Sequence, residues 1–181
     1  MSEVQLRPVQ LEDLDVFDRS FAGVEGAGEY QWFGFTPSHA VRQAFHERGL
    51  LAGPENMASV VVDGELAGRV EWLQRRWGRR DTSLCWEIGV GMLPGYRGKG
   101  YGTAAQRKLV AYLFSHTRVE RIQATTDPAN MAERTCLERI GFVLEGTVRM
   151  AQWRQGRWHD QLLYSILRKE FALRHPHGPG Q

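Results

Sequence analysis

Hydrophobic and polar positions follow two different periods along the first fifty residues. Residues 4–7 alternate apolar and polar side chains and predict a first strand. A helix is predicted from Gln10, because the apolar residues that follow it recur at the spacing of one helical face. A second helix is predicted over residues 38–50. The chain therefore opens with one strand and two helices.

A hairpin follows, because residues 59–62 and 65–72 flank Asp63-Gly64, a strong two-residue turn signal. Residues 83–93 predict the next strand, with Trp86, Ile88 and Val90 on one face and Cys85, Glu87 and Gly89 on the other. The remaining pattern predicts a helix over 100–116, a strand over 122–126, a helix over 130–140, and two strands over 142–154 and 158–167.

The predicted order is β-α-α-β-β-β-α-β-α-β-β, which indicates an α/β (α+β) chain with one mixed sheet and helices on its faces. With 181 residues and no low-complexity linker, we predict a single domain over residues 1–171. The Pro- and Gly-rich residues 172–181 predict a disordered tail.

The composition narrows the class of protein. Lys and Arg number 23 against 21 Asp and Glu, a near balance that argues against a nucleic-acid partner bound by bulk charge. No apolar run is long enough for a membrane span, and the N-terminus lacks the features of a signal peptide. Cys85 and Cys136 form no metal-binding spacing and are expected to pack in the core. We therefore predict a cytoplasmic protein that uses no metal.

The most specific feature is a glycine-rich turn over residues 93–103, between a predicted strand and a predicted helix. Glycines let the backbone approach an anion, and the unpaired N–H groups of a first helical turn point toward it. The spacing fits neither the P-loop nor the dinucleotide fingerprint. It reads instead as Arg97-x-x-Gly100-x-Gly102. A glycine-rich loop that caps an ordinary helix is the alternative.

Arg97-x-x-Gly100-x-Gly102 resembles the pyrophosphate-binding signature of the GNAT superfamily of N-acetyltransferases. Residues 86–90 resemble that family's fourth strand, and residues 127–142 resemble its Asn-containing helix with the Gly-Phe that follows. Residues 145–167 closely resemble the C-terminal hairpin of the RimJ/RimL-type enzymes, which acetylate the N-termini of ribosomal proteins. The resemblance implies the GNAT fold, a mixed and mostly antiparallel sheet with helices on both faces and splayed central strands.

The same resemblance implies acetyl-CoA as co-substrate and an amine acceptor, either a protein N-terminal α-amine or a small amine. The acetyl group would move by direct attack in a ternary complex. The implied contacts to pantetheine and pyrophosphate, together with the Asn on the cofactor side, are Val90, Gly91, Met92, Arg97, Gly98, Lys99, Gly100, Tyr101, Gly102, Thr103 and Asn130. Asn130 is equally expected to be a helix N-cap. By analogy with the fold, a homodimer is also expected.

Glu87 is the candidate general base, because it lies on the strand that flanks the pantetheine and points away from the apolar face of that strand. The alternative is a glutamate paired with an arginine on the sheet. Trp32, Phe33 and Phe35 are candidates either for the acceptor pocket or for the core.

The proton donor for the CoA thiolate is left open. The positions at which relatives carry a Tyr or a Ser hold Leu137 and Glu133, while Thr135 and Tyr164 lie nearby. A non-enzymatic acyl-CoA sensor on the same fold is therefore the alternative function.

Overall fold

Seven strands and six helices occupy the part of the chain that the computed structural model describes, residues 2–35, 37–79 and 82–174. The strands are β1 (Val4–Pro8), β2 (Glu55–Val62), β3 (Glu65–Arg76), β4 (Leu84–Met92), β5 (Arg121–Thr126), β6 (Val143–Arg154) and β7 (Arg157–Leu167). The helices are α1 (Leu11–Ser20), α2 (Val24–Ala27), α3 (Ser38–Arg48), α4 (Tyr101–His116), α5 (Met131–Ile140) and α6 (Arg168–Arg174).

The predicted elements are present, and the structure adds the short helices α2 and α6. The predicted second helix ends at Arg48 because Gly49 adopts a left-handed conformation there, with φ of 61°. Helix α6 continues past Phe171, which is buried, and ends at Arg174. The rest of the predicted tail, residues 175–181, lies outside the described residues.

All seven strands belong to one sheet, in the order β1-β2-β3-β4-β5-β7-β6. Every neighbouring pair is antiparallel except β4 and β5, which confirms the predicted mixed sheet. The parallel ladder pairs only Trp86 with Ile122 and Glu87 with Gln123. Beyond Glu87 the two central strands separate, as the resemblance implied, and the β5-facing edge of β4 is open.

The two faces of the sheet are covered differently. On one face, buried residues of β1–β5 and β7 pack against Leu109 and Leu113 of α4, Leu137 and Ile140 of α5, and Phe171 of α6. On the other face, α1 and α3 cover a smaller cluster that includes Met57 of β2, and this cluster contains no residue from β4–β7. Strands β4–β7 therefore present polar side chains on a face that these helices leave open.

Candidate active site

The glycine-rich turn forms a cradle of free backbone N–H groups. Gly98 and Gly100 take positive φ values of 71° and 81°, a conformation that favours glycine, and α4 begins at Tyr101. Among the described residues, no acceptor engages the six N–H groups from Gly98 to Thr103. A Cβ built at Gly95, Gly98 or Gly100 would meet no protein atom within 4 Å. The turn is thus open and lined with donors, and it fits a pyrophosphate.

The side chains of Arg97 and Lys99 donate hydrogen bonds to backbone carbonyls in and around this turn. The Arg97 guanidinium donates from Nε to the carbonyl of Met92 at 2.9 Å, and it also donates to the carbonyls of Glu25 and Gly26 in α2. Lys99 Nζ donates to the carbonyl of Gly95 at 2.8 Å. The Arg97 side chain therefore links α2 to the end of β4 by hydrogen bonds, and its positive charge lies beside the cradle.

The open edge of β4 carries the backbone groups of two of the three predicted pantetheine contacts, Val90 and Met92. Leu93 N–H donates across to Ala67 of β3, so strand alternation turns the backbone groups of Gly91 toward β3 and those of Val90 and Met92 toward the open edge. The carbonyl of Val90 accepts a hydrogen bond at 2.9 Å from the side-chain amide of Gln31. Sequence patterns gave no signal for this contact, because Gln31 lies 59 positions earlier in the chain.

The first turn of α5 lies beside α4. The side chain of Asn130 accepts a hydrogen bond from the N–H of Glu133 at 3.3 Å, which confirms the predicted N-cap. The Glu133 carboxylate accepts from Nε2 of the fully buried Gln106 at 3.2 Å. Burial raises the pKa of Glu133 to about 7, although the bond from Gln106 favours the charged form.

The candidate base Glu87 lies in a polar network on the open face. A Cβ at Gly91 would lie 3.4 Å from the ring of Phe21, so the odd-numbered residues of β4 face the α1 side of the sheet. The Glu87 carboxylate pairs with Arg75 at 3.2 Å and accepts from Nε2 of Gln123 at 2.8 Å. The pairing with arginine that we considered as the alternative is therefore present, and it holds the carboxylate at the point where β4 and β5 separate.

The network continues across β5 to the outer strands. Gln123 Oε1 accepts from the indole N–H of Trp77 at 3.0 Å. The two terminal guanidinium nitrogens of Arg121, Nη1 and Nη2, donate to the Glu145 carboxylate, each at 2.6 Å, and the Ser165 hydroxyl donates to the same carboxylate at 2.7 Å. These bonds, that of Arg121 foremost, lower the pKa of Glu145 to about 2 despite partial burial. Sequence reasoning missed this pair, because 24 positions separate its members.

A further ion pair, outside this network, joins three segments of the chain. The buried Arg154 donates to Asp127 at 2.8 Å and to the carbonyl of Tyr30 at 3.1 Å, and His159 Nδ1 lies 3.3 Å from the same Asp127 carboxylate. Burial tends to raise the pKa of Asp127, but the N–H of Ala129 and the Arg154 guanidinium outweigh it, so this pKa is lowered. The turn end of the β6–β7 hairpin is thereby fixed to the β5–α5 turn and to the segment before α3.

The residues considered as proton donors to the CoA thiolate and those considered as contacts for the amine acceptor differ in how far their side chains are exposed. Leu137 and Tyr164 are fully buried, and the Tyr164 hydroxyl is bonded to Glu138 at 3.2 Å. Phe33 and Phe35 are 54% and 94% exposed, so the alternative that they belong to the core is wrong. Trp32 packs edge-on against Phe35, with ring centroids 5.6 Å apart.

Two other expectations concern the cysteines and metal binding. Cys85 and Cys136 are both free and buried, as predicted, and burial raises the pKa of Cys136 to about 12. Within the described ranges, no group of three His, Cys, Asp or Glu side chains is placed to hold a metal ion. No helix in those ranges is long and apolar enough to cross a membrane.

Residues 3–143 match the family model of the acetyltransferase (GNAT) domain. The match covers well over half of the 181 residues, so the chain belongs to the GNAT acetyltransferase family. Enzymes of this family take the acetyl group from acetyl-CoA, whose pyrophosphate fits the cradle described above.

Among the proteins similar to this chain, one is named for a ribosomal acceptor and another for the small amine spermidine. YdaF of Bacillus subtilis, provisionally named a ribosomal N-acetyltransferase, is 33% identical over 63% of this chain and 60% of YdaF. The uncharacterized N-acetyltransferase p20 of Bacillus licheniformis is 28% identical over 92% of this chain and 94% of p20. The spermidine N-acetyltransferase of Vibrio cholerae, solved with CoA and spermine, superposes with a TM-score of 0.79 at 19% identity, over 93% of this chain and 97% of that one. At that identity the likeness shows the fold.

Proposed function

We propose that this protein is an N-acetyltransferase that moves the acetyl group of acetyl-CoA to a primary amine by direct attack within a ternary complex. The observation that carries the proposal is the cradle of six free N–H groups from Gly98 to Thr103, which lies next to the open edge of β4. An ordinary capped helix needs neither the two left-handed glycines nor a separated pair of central strands.

The chain would hold acetyl-CoA chiefly with backbone groups. The cradle would bind the pyrophosphate, and the backbone groups of Val90 together with the N–H of Met92 would pair with the amides of pantetheine, since the carbonyl of Met92 is bonded to Arg97. Gly91 would contribute by lacking a side chain. Since Gln31 occupies the carbonyl of Val90 at 2.9 Å, its amide would have to release that carbonyl as the co-substrate enters. Asn130 would serve both as the helix cap and as a contact on the cofactor side.

Glu87 would accept a proton from the incoming ammonium group, directly or through one water molecule. The amine attacks only when neutral. A peptide α-amine, with a reference pKa near ~8, loses its proton more easily than a lysine near ~10.4, for which deprotonation at neutral pH costs roughly 4–5 kcal/mol. The ion pair with Arg75 fixes the position of the Glu87 carboxylate. Attack forms the amide bond and breaks the C–S bond, and the proton that the nitrogen loses as the amide forms goes to the departing thiolate, so the products are the acetylated amine and the CoA thiol.

The charges on the open face favour a protein N-terminus over a polyamine as acceptor. A polycation needs unpaired carboxylates, but Glu87, Glu145 and Asp127 are each paired with an arginine, at 3.2, 2.6 and 2.8 Å. Glu71 is likewise paired with Arg69 at 2.8 Å. We therefore place the protein with the RimJ/RimL-like enzymes, a subtype that the resemblance of the C-terminal hairpin also supports.

The test is release of CoA thiol from acetyl-CoA in the presence of a panel of amines. The panel would contain short peptides with a free N-terminus, the same peptides with a blocked N-terminus and a free lysine, and spermidine. We expect turnover with the free N-termini and little with the blocked peptides or spermidine. Faster turnover of spermidine would contradict the choice of acceptor. CoA binding without turnover of any amine would favour the acyl-CoA sensor instead.

A further inference from the structure

A second concave surface lies away from the candidate active site, between the edge of the sheet and α4. Its volume is about 790 Å³, within the usual range for small-molecule sites. Leu6, Ala58 and Trp72 from β1, β2 and β3 form its floor, and Leu109 and Tyr112 of α4 form one wall. None of the residues that line this cavity belongs to the glycine cradle or to the open edge of β4.

Aromatic rings line part of the cavity. The ring of Tyr112 lies against Trp72, with centroids 6.2 Å apart, and against the His116 imidazole at 4.8 Å. Trp72 is buried, whereas 45% of Tyr112 remains exposed, so a phenol face borders the open volume. A flat ring packed on that face would gain from both area burial and stacking geometry.

The charges around the cavity have one sign. The lining contains Arg7, Arg107, Lys108 and His116, and it contains no Asp or Glu among the described residues. Arg7 is neutralised by Asp13 at 2.5 Å. Arg107 and Lys108 are exposed on α4 and have no hydrogen-bond or ion-pair partner in the described part of the chain. Two unpaired cations therefore stand at the mouth of an apolar cavity, a combination that favours a ligand with an apolar ring and one negative charge.

We propose that this cavity is a binding site for an aromatic carboxylate, with its ring against Tyr112 and its carboxylate at Arg107 and Lys108. The site is separate from acetyl-CoA and does not depend on the proposed enzymatic activity. A neutral aromatic molecule would lose the charge pairing, and an aliphatic acid would lose the stacking on Tyr112.

The probe for the test is 2-naphthoate, titrated calorimetrically into the full chain, with neutral 2-naphthamide as the paired ligand. We expect saturable binding of 2-naphthoate with a Kd below about 1 mM, and binding of 2-naphthamide at least about tenfold weaker. Saturating CoA should leave the 2-naphthoate affinity unchanged. This ligand comparison requires no substitution, so it does not depend on whether a variant folds.

The double variant R107E/K108E should weaken 2-naphthoate binding by about tenfold or more, and Tyr112→Ala should also weaken it. The matched control is R139E/R149E, which changes the net charge equally at exposed positions outside the cavity and should bind like the wild type.

Absence of saturable binding, or equal binding of 2-naphthamide, would overturn the proposal. So would displacement of the probe by CoA, because the anion would then occupy the donor site. Sedimentation at the same protein concentration tests whether a second copy of the chain occupies the cavity. If the protein is a dimer that must dissociate before the probe binds, the occupant is that second copy, and the proposal is overturned.

Discussion

The glycine cradle and the open polar face differ in how the sequence builds them. The cradle is one continuous segment, residues 98–103, and it would bind through backbone N–H groups whose direction follows from two positive φ angles and a helix start. The network around Glu87 of β4 draws Arg75 from β3 and Gln123 and Arg121 from β5, and it consists of side-chain contacts. In the proposed function a local feature would thus bind the donor, while a long-range assembly would face the acceptor. This difference explains why the donor can be identified more firmly than the acceptor.

The largest effect should come from removing the charge at the centre of the network. Glu87→Gln removes the proton acceptor but retains the shape of the side chain, so kcat should fall by roughly 10²- to 10⁴-fold while the KM for acetyl-CoA stays near the wild-type value. Steady-state kinetics with the best peptide acceptor measures both constants.

The matched control for this prediction is Glu145→Gln, which breaks another arginine pair on the same face. Its kcat should change much less than that of Glu87→Gln. Equal losses in the two variants would mean that the network is only structural and that Glu87 is not the base.

The ion pair beside the network gives the second prediction. Arg154→Ala removes the arginine partner of the buried Asp127 and should lower the free energy of unfolding by about 3–5 kcal/mol. Arg42→Ala removes a partly exposed arginine paired with Asp15 and Asp18, and it should lower the free energy of unfolding much less, because solvent screens these pairs. Urea unfolding at constant pH measures both. Similar losses would show that burial does not distinguish the two pairs.

The contact between α4 and α5 should make a smaller contribution to the free energy of unfolding, and this contribution should depend on pH. The pKa of Glu133 is about 7 in the folded chain and near 4.5 when exposed, so the folded state binds more protons between these values. Unfolding free energy should therefore fall as pH rises from about 4.5 to about 7. Glu133→Gln removes this slope, and it should be more stable than the wild type by about 1–3 kcal/mol at pH 8 and equal to it near pH 4.

Chemical unfolding at several pH values measures this slope. The exposed Glu65→Gln should leave it unchanged. A wild type whose stability rises from pH 5 to pH 8 relative to Glu133→Gln would contradict the raised pKa.

The two regions also differ in how far the sequence predicts them. Strand alternation, the Asp63-Gly64 turn and the glycine spacing are local, so the elements, the hairpin and the cradle follow from neighbouring residues. The contact of Gln31 with Val90 and the pair of Arg121 with Glu145 depend on how distant segments meet. The raised pKa of Glu133 arises from packing between two helices, and no local pattern specifies it.

Arg97 illustrates a partial prediction. Its place in the motif indicates a charge beside the anion site, and the structure puts it next to the cradle. Its guanidinium is nevertheless bonded to carbonyls of β4 and α2, because the four-residue helix α2 returns to the end of β4. The motif gives the position of this charge but not the elements that it joins.

The most direct test of the cradle is the affinity for CoA compared with that for pantetheine, which lacks the pyrophosphate. Gly100→Ala places a methyl group in the open cradle and strains a left-handed residue. Calorimetry should then show CoA binding weakened by about tenfold or more and pantetheine binding unchanged. Gly95→Ala, at a glycine without positive φ, should bind both like the wild type. Unchanged CoA affinity in Gly100→Ala, or an equal loss for pantetheine, would contradict the assignment of the cradle to the pyrophosphate.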